Sequence, residues 1–114
     1  NDWPTEDGTG IRDYVHVVDL AYAHVLTLDY LLKNEPQILN LNIGTGIGTS
    51  VLELIKIFEE VNNCKVPVEI CERRSGDVAI SIADNKLATS LLKWFPKKDI
   101  RDMCRDGWKW QLNN

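Results

Sequence analysis

No apolar run in this sequence exceeds a handful of residues, far short of the roughly 20 that a membrane-spanning helix needs. Positive charge is in deficit. Thirteen Lys and Arg against 17 Asp and Glu leave a net charge of −4, which argues against the broad basic surface that nucleic acid or an anionic membrane selects. Any anionic ligand must then be held by individual arginines rather than by a general field. Cysteine is scarce and odd in number. Cys64, Cys71 and Cys104 show no metal-ligand spacing and read as reduced thiols packed as small hydrophobes. The two histidines, His16 and His24, have no cysteine or carboxylate partner at ligand spacing, so no metal site is expected. No secretory signal opens the chain. Asn1-Asp2-Trp3-Pro4 is not an initiator sequence and reads as a cut into something longer. Internal repeats, linkers and low-complexity tracts are also missing.

What is present is ordinary in composition. A chain of 114 residues, 44% hydrophobic and 26% charged, is one small domain or part of a larger one. Residues 1–10 carry the glycine, proline and acidic signals of a loop. Arg12 to Val18 reads as a strand, and Asp19 as the N-cap of a helix over Leu20 to Lys33, with Leu20, Ala23, Leu28, Leu31 and Leu32 at helical spacing. Ile38 to Ile43 alternates as a strand. Ser50 and Glu53 form a capping-box pair ahead of a helix through about Val61. Val66 to Cys71 and Val78 to Ala83 read as extended. Asp84 is placed to cap a helix over Asn85 to Leu92, and Asp99 to cap a last helix. Trp94, Trp108 and Trp110 read as core and lid. The fold class is α/β.

Two stretches invite a ligand. Gly44-Thr45-Gly46-Ile47-Gly48-Thr49-Ser50 suggests a dinucleotide loop, but that fingerprint needs glycine at its sixth position, where Thr49 stands. A tight strand-to-helix turn is the better reading. Arg73-Arg74-Ser75-Gly76-Asp77 offers a rigid fork of donors for phosphate. It adds a glycine that lets backbone approach a ligand and a carboxylate suited to sugar hydroxyls. Alone, the pentapeptide also fits a solvated turn.

Several stretches together carry a resemblance. Trp3 to Ala21 contains Asp7-Gly8-Thr9-Gly10 and Arg12-Asp13-Tyr14. Asn40 to Gly46 is followed by Gly48 to Leu52, then Arg73 to Asp77, Ala83-Asp84, and Asp102 to Gln111 with its Trp-Lys-Trp-Gln. In order and spacing they resemble the C-terminal part of the UDP-glucose 4-epimerase family, extended short-chain dehydrogenase/reductases. The resemblance covers essentially the whole chain. The family's reaction passes hydride from the sugar to NAD and back through a transient 4-keto sugar, interconverting UDP-glucose and UDP-galactose. Its NAD site and catalytic Tyr-x-x-x-Lys lie in an N-terminal domain. Nothing here matches either one: Val18 and Leu26 stand where the lysine would follow Tyr14 and Tyr22.

The resemblance implies that residues 1–49 form a strand-helix-strand segment packed on that missing NAD-binding domain. Residues 50–114 would form a small substrate-binding domain. It implies a UDP-sugar ligand held by Arg12 and Arg74 on the diphosphate and Asp77 on the ribose, with Ser75 and Gly76 shaping the loop. Arg73 is left as a structural or surface partner. Ser81 falls where the sugar pocket is lined, and a small residue there resembles family members that also accept UDP-N-acetylhexosamines. Each buried charge-assisted contact is worth roughly 1.5–3 kcal/mol, so Arg74 alone accounts for about ten- to a hundredfold in affinity. A cytoplasmic homodimeric parent is implied, with the chain alone inactive and of marginal stability. The alternatives are a free-standing nucleotide-sugar-binding module, or part of another nucleotide-sugar dehydratase or decarboxylase.

Overall fold

Ile11 and Arg12 leave the glycine-rich loop as β1 (Ile11–Arg12), the centre of a three-stranded sheet of order β2-β1-β3. The structure, a computed structural model, describes residues 5–72 and 75–113. β2 (Thr49–Ser50) runs antiparallel to β1, with Ile11 opposite Ser50 and Arg12 opposite Thr49. β3 (Ile80–Ser81) runs parallel to β1 on its other side, with Ile11 opposite Ile80 and Arg12 opposite Ser81. The helices are α1 (Val17–Lys33), α2 (Val51–Asn62), α3 (Lys86–Leu92) and α4 (Ile100–Leu112). The α/β class expected from the sequence is the class observed. α1 packs on α3, and α2 on α4.

Trp94 is the centre of the core. It has no exposed surface and is surrounded by Ala23 of α1 and by Ala88 and Leu92 of α3, with Val15, Leu26, Tyr30, Leu41 and Ile43 half-buried around them. A buried indole needs a partner for its N–H, and Trp94 Nε1 donates to the Asp19 carbonyl at 2.9 Å. The second helix pair meets through Phe58 and Trp108, edge to face at 5.5 Å, and through Asn62, whose amide donates to the Cys104 carbonyl at 3.1 Å. Trp110 is 65% exposed, so the tryptophans divide between core and surface.

The Ser50–Glu53 capping box forms as read, and Asp99 caps the last helix as expected, in a second box with Asp102. Ser50 Oγ accepts from Glu53 N–H at 3.1 Å while Glu53 Oε1 accepts from Ser50 N–H at 3.3 Å. Asp99 and Asp102 do the same at 2.9 and 3.0 Å. Several expectations are corrected. The expected strand from Arg12 to Val18 ends at Arg12, and α1 begins at Val17 because His16 caps it: Nδ1 accepts from Val18 N–H at 3.0 Å. Asp19 therefore lies inside the first turn, where its carboxylate accepts from Lys97 and Lys98 N–H at 3.1 and 2.9 Å. Ile38 to Ile43 and Val66 to Cys71 form no strand, because neither meets a partner strand among the described residues. Asp84 sits one position before the capping residue Asn85 and accepts instead from Lys86 N–H at 3.2 Å. Cys104 is buried as expected, but Cys71 is exposed.

α1 shows apolar residues on both sides. Ala23 faces the core, while Val18, Tyr22, Val25, Leu28 and Leu32 are exposed. No helix among the described residues is long and apolar enough to cross a membrane.

Gly107 lies inside α4, where an added Cβ would meet nothing within 4 Å. Gly107→Ala should therefore stabilise the chain by up to about 1 kcal/mol through helix propensity. Urea denaturation reads this directly, and an unchanged or lowered midpoint would contradict it.

Candidate functional site

Arg12 ends the central strand, and its guanidinium is fixed on two sides. Nη1 donates to the Ile11 carbonyl at 2.8 Å, and Nη2 reaches Asp77 Oδ1 at 3.5 Å. Gly10 makes room for this: a Cβ there would lie 3.2 Å from Arg12 Nη1. The ion pair is long and partly solvated, with Arg12 28% and Asp77 29% exposed. Such a pair is worth little in itself. A ligand anion that met the guanidinium fork with two oxygens would offer stronger hydrogen bonds.

Ser81 stands beside Arg12 in the parallel ladder, its side exposed. Both line an open cleft of about 610 Å³ whose other polar groups are Asp13, Asn42 and Asp84. Ser75 and Gly76 form an exposed turn leading to Asp77. At Gly76 an added Cβ would find open space, but φ is +82°, so the backbone conformation, not crowding, calls for glycine. Arg74, like Arg73, lies outside the described residues. The structure thus brings Arg12, Asp77 and Ser81 together, with Ser75 and Gly76 adjacent in the chain.

Asp13 was not singled out in the sequence, yet it organises the same region. Oδ1 accepts from Thr45 N–H at 2.9 Å and from the Thr45 hydroxyl at 2.7 Å. Oδ2 accepts from Gly46 N–H at 2.9 Å and from Ala83 N–H at 3.2 Å. Partial burial works against the charged form, but these hydrogen bonds outweigh it and hold the carboxyl below its ordinary range. The available signal was glycine spacing. A Cβ at Gly44 would lie 2.6 Å from both Asp13 Oδ2 and Ala83 Cβ, and one at Gly48 would lie 2.5 Å from Ile11 Cγ2. These glycines let the loop close onto Ile11, Asp13 and residues 82–83. The loop N–H groups that could cradle a dinucleotide phosphate are already bound, those of Thr45 and Gly46 by Asp13 and that of Ile47 by the Thr45 hydroxyl. The loop does not fit NAD: it leads from the stretch at 38–43, unpaired among the described residues, into β2 and the capped start of α2, so the helix side of the turn reading holds and its strand side does not.

Asp7 braces the other side of β1. It accepts from the Ser50 hydroxyl, from the Thr9 hydroxyl at 2.6 Å and from Thr9 N–H at 2.9 Å. The Ser50 bond is the largest influence holding its carboxyl low, followed by those from Thr9.

Fold and cleft define a class: a small mixed α/β unit whose polar groups gather where a parallel strand pair ends, with no dinucleotide loop among the described residues. No family model matches the sequence. The UDP-glucose 4-epimerase of Bacillus subtilis is 48% identical over 114 residues, which is 100% of this chain and 33% of that enzyme. The UDP-glucose 4-epimerase of Stenotrophomonas maltophila, solved with bound NAD and formylated UDP-arabinopyranose, shares 54% identity and a TM-score of 0.93. That match covers 98% of this chain and 33% of the solved one. The Bifidobacterium longum enzyme, solved with NAD+ and UDP, shares 42% identity and a TM-score of 0.92, over 99% of this chain and 33% of that one. Over its whole length the chain is homologous to UDP-glucose 4-epimerases and corresponds to their C-terminal part. It spans about a third of the length of the relatives it matches.

The carboxylates carry a pH signature. Asp7 and Asp13 titrate in the folded chain below their ordinary value of 3.8. Their hydrogen bonds therefore stabilise the fold fully above that value, and the stabilisation is lost as pH falls through the folded values. Urea denaturation as a function of pH should show stability nearly constant from about pH 7 to 5 and falling progressively below about pH 4. A stability that rises on acidification would contradict the assignment.

Proposed function

We propose that this chain is the UDP-sugar-binding C-terminal part of a UDP-glucose 4-epimerase, an NAD-dependent isomerase that interconverts UDP-glucose and UDP-galactose in galactose metabolism. The observation that carries the reading is the convergence of Arg12, Asp77 and Ser81, in a chain homologous to such enzymes from end to end. Arg12 and Arg74 hold the diphosphate, Asp77 the uridine ribose, and Ser75 and Gly76 the shape of the loop. Ser81 borders the sugar. A diphosphate on Arg12 draws the guanidinium away from Asp77 and turns that carboxylate toward the ribose hydroxyls. The anchor holds the nucleotide while the keto-sugar rotates, so its binding energy goes into positioning rather than bond making.

NAD and the catalytic tyrosine and lysine belong to a further N-terminal domain, and these 114 residues alone do not catalyse. Residues 1–49 pack on that domain, and residues 50–114 build the substrate-binding part. Two features support this division: the exposed apolar side of α1, and the alternating stretch at 38–43 with no strand partner in the described chain. The parent enzyme is a cytoplasmic homodimer.

Joining this chain to the N-terminal two-thirds of the Bacillus subtilis relative tests the reading. The chimera should convert UDP-galactose to UDP-glucose while neither part alone does so. A folded chimera that binds NAD yet shows no epimerisation would refute it.

The small side chain of Ser81 extends the proposal to UDP-N-acetylhexosamines. The chimera should epimerise UDP-N-acetylglucosamine. Ser81→Tyr should abolish that activity and spare UDP-galactose. Activity on UDP-galactose alone in both proteins would exclude the broader range.

A further inference from the structure

Three segments wall the cleft beside Arg12: the end of β1 with Asp13, residues 41–43, and residues 81–84. One carboxylate ties the first to the third and to the turn that directly follows the second. Asp13 follows Arg12 directly, binds Thr45 and Gly46 through three hydrogen bonds, and binds Ala83 through a fourth. Ala83 lies two residues beyond Ser81, the register partner of Arg12. The parallel ladder is only two residues long, too short to hold a register firmly by itself. The Asp13–Ala83 bond continues the alignment of the two strands just past the ladder's end, and Gly44 leaves the space in which it forms. The other charged groups lining the cleft are Arg12 and Asp84, and neither replaces Asp13 as the acceptor for these donors.

We infer that Asp13 is a positioning residue: through its four hydrogen bonds it fixes the spacing of Arg12 and Ser81 and so sets the affinity of the cleft for a UDP-sugar, an inference that rests on the nucleotide-sugar reading of that cleft. A role confined to bracing the loop would lower stability and leave affinity intact. A positioning role moves the strand pair as well.

Asp13→Asn keeps the shape of the side chain. It replaces one acceptor oxygen by an amide whose protons face other donors. The test is calorimetric titration of this chain with UDP and with UDP-glucose, well below the melting temperature, together with amide exchange at Thr45, Gly46, Ala83 and Ile11. The Ile11 N–H donates to the Ala79 carbonyl at 2.8 Å and reports the ladder itself. Asp13→Asn should bind UDP-glucose about ten- to a hundredfold more weakly, as expected when a binding group is displaced by a fraction of an ångström to an ångström. It should also exchange faster at all four amides. Wild-type affinity, or faster exchange at Thr45 and Gly46 with Ile11 unchanged, would overturn the inference.

If Asp13→Asn does not fold, Thr45→Val removes a single hydrogen bond to the carboxylate. It should weaken binding about two- to tenfold, and unchanged affinity would overturn the inference in the same way. If the unaltered chain binds neither ligand, the nucleotide reading of the isolated cleft fails separately. Exchange at Ile11 in the variant then decides the positioning role: faster supports it, and unchanged overturns it.

Discussion

The carboxylate of Asp13 accepts four hydrogen bonds from parts of the chain that are otherwise far apart in sequence. Two glycines answer to it and to the strand it follows: Gly44 has no room for a side chain against Asp13 and Ala83, nor Gly48 against Ile11 and Ile82. Asp7 does a comparable service on the other side of β1, tying Thr9 to the first turn of α2 through Ser50. Between these two anchored carboxylates runs a strand of two residues, and one of them is Arg12. Short ladders contribute few backbone hydrogen bonds. The sheet is therefore held in place largely by charge-assisted bonds from side chain to backbone, which are roughly twice as strong as neutral ones.

The helices divide the remaining work. α1 and α3 close on Trp94, while α2 and α4 close on Phe58 and Trp108. The exposed apolar residues of α1 lie opposite the side that carries Ala23. Such a surface suits a chain that spans about a third of its relatives, and a larger buried area would suit its stability better. The pairing of helices also explains why His16 matters to the fold. It caps α1 and joins Asp106 of α4 at 2.8 Å, linking the two pairs.

Local signals were legible in the sequence. Ser50 and Glu53 are three residues apart, and reciprocal capping needs nothing beyond that spacing; Asp99 read as a cap, and the return bond from Asp102 is a finding of the structure. Strands were not legible in the same way. The alternation at 38–43 encodes two faces but not a partner, and without a partner it forms no ladder. The β-branched run at 15–18 suggested extension, yet one histidine ring at the right place started a helix there. Asp19 was misplaced for the same reason, since its acceptors serve the turn at Lys97 and Lys98 rather than its own helix end. The approach of Arg12 to Asp77 across 65 residues is invisible to spacing; the resemblance implied one shared ligand for the two, not a contact between them. Asp13 escaped notice because a carboxylate after an arginine reads as a charge partner. Its use as a backbone acceptor depends on glycines 31 and 33 positions away, at Gly44, which leaves it space, and Gly46, whose N–H it binds.

The proposed site holds a UDP-sugar where β1 meets β3. Titrating the isotopically labelled chain with UDP while recording backbone amide resonances tests it most directly. The largest changes should fall at Arg12, at residues 75–77 and at Ser81, with the resonances of Thr45 and Gly46 much less affected because Asp13 already occupies them. Changes centred on the Gly44–Ser50 turn, or no changes in a folded chain at saturating UDP, would contradict it.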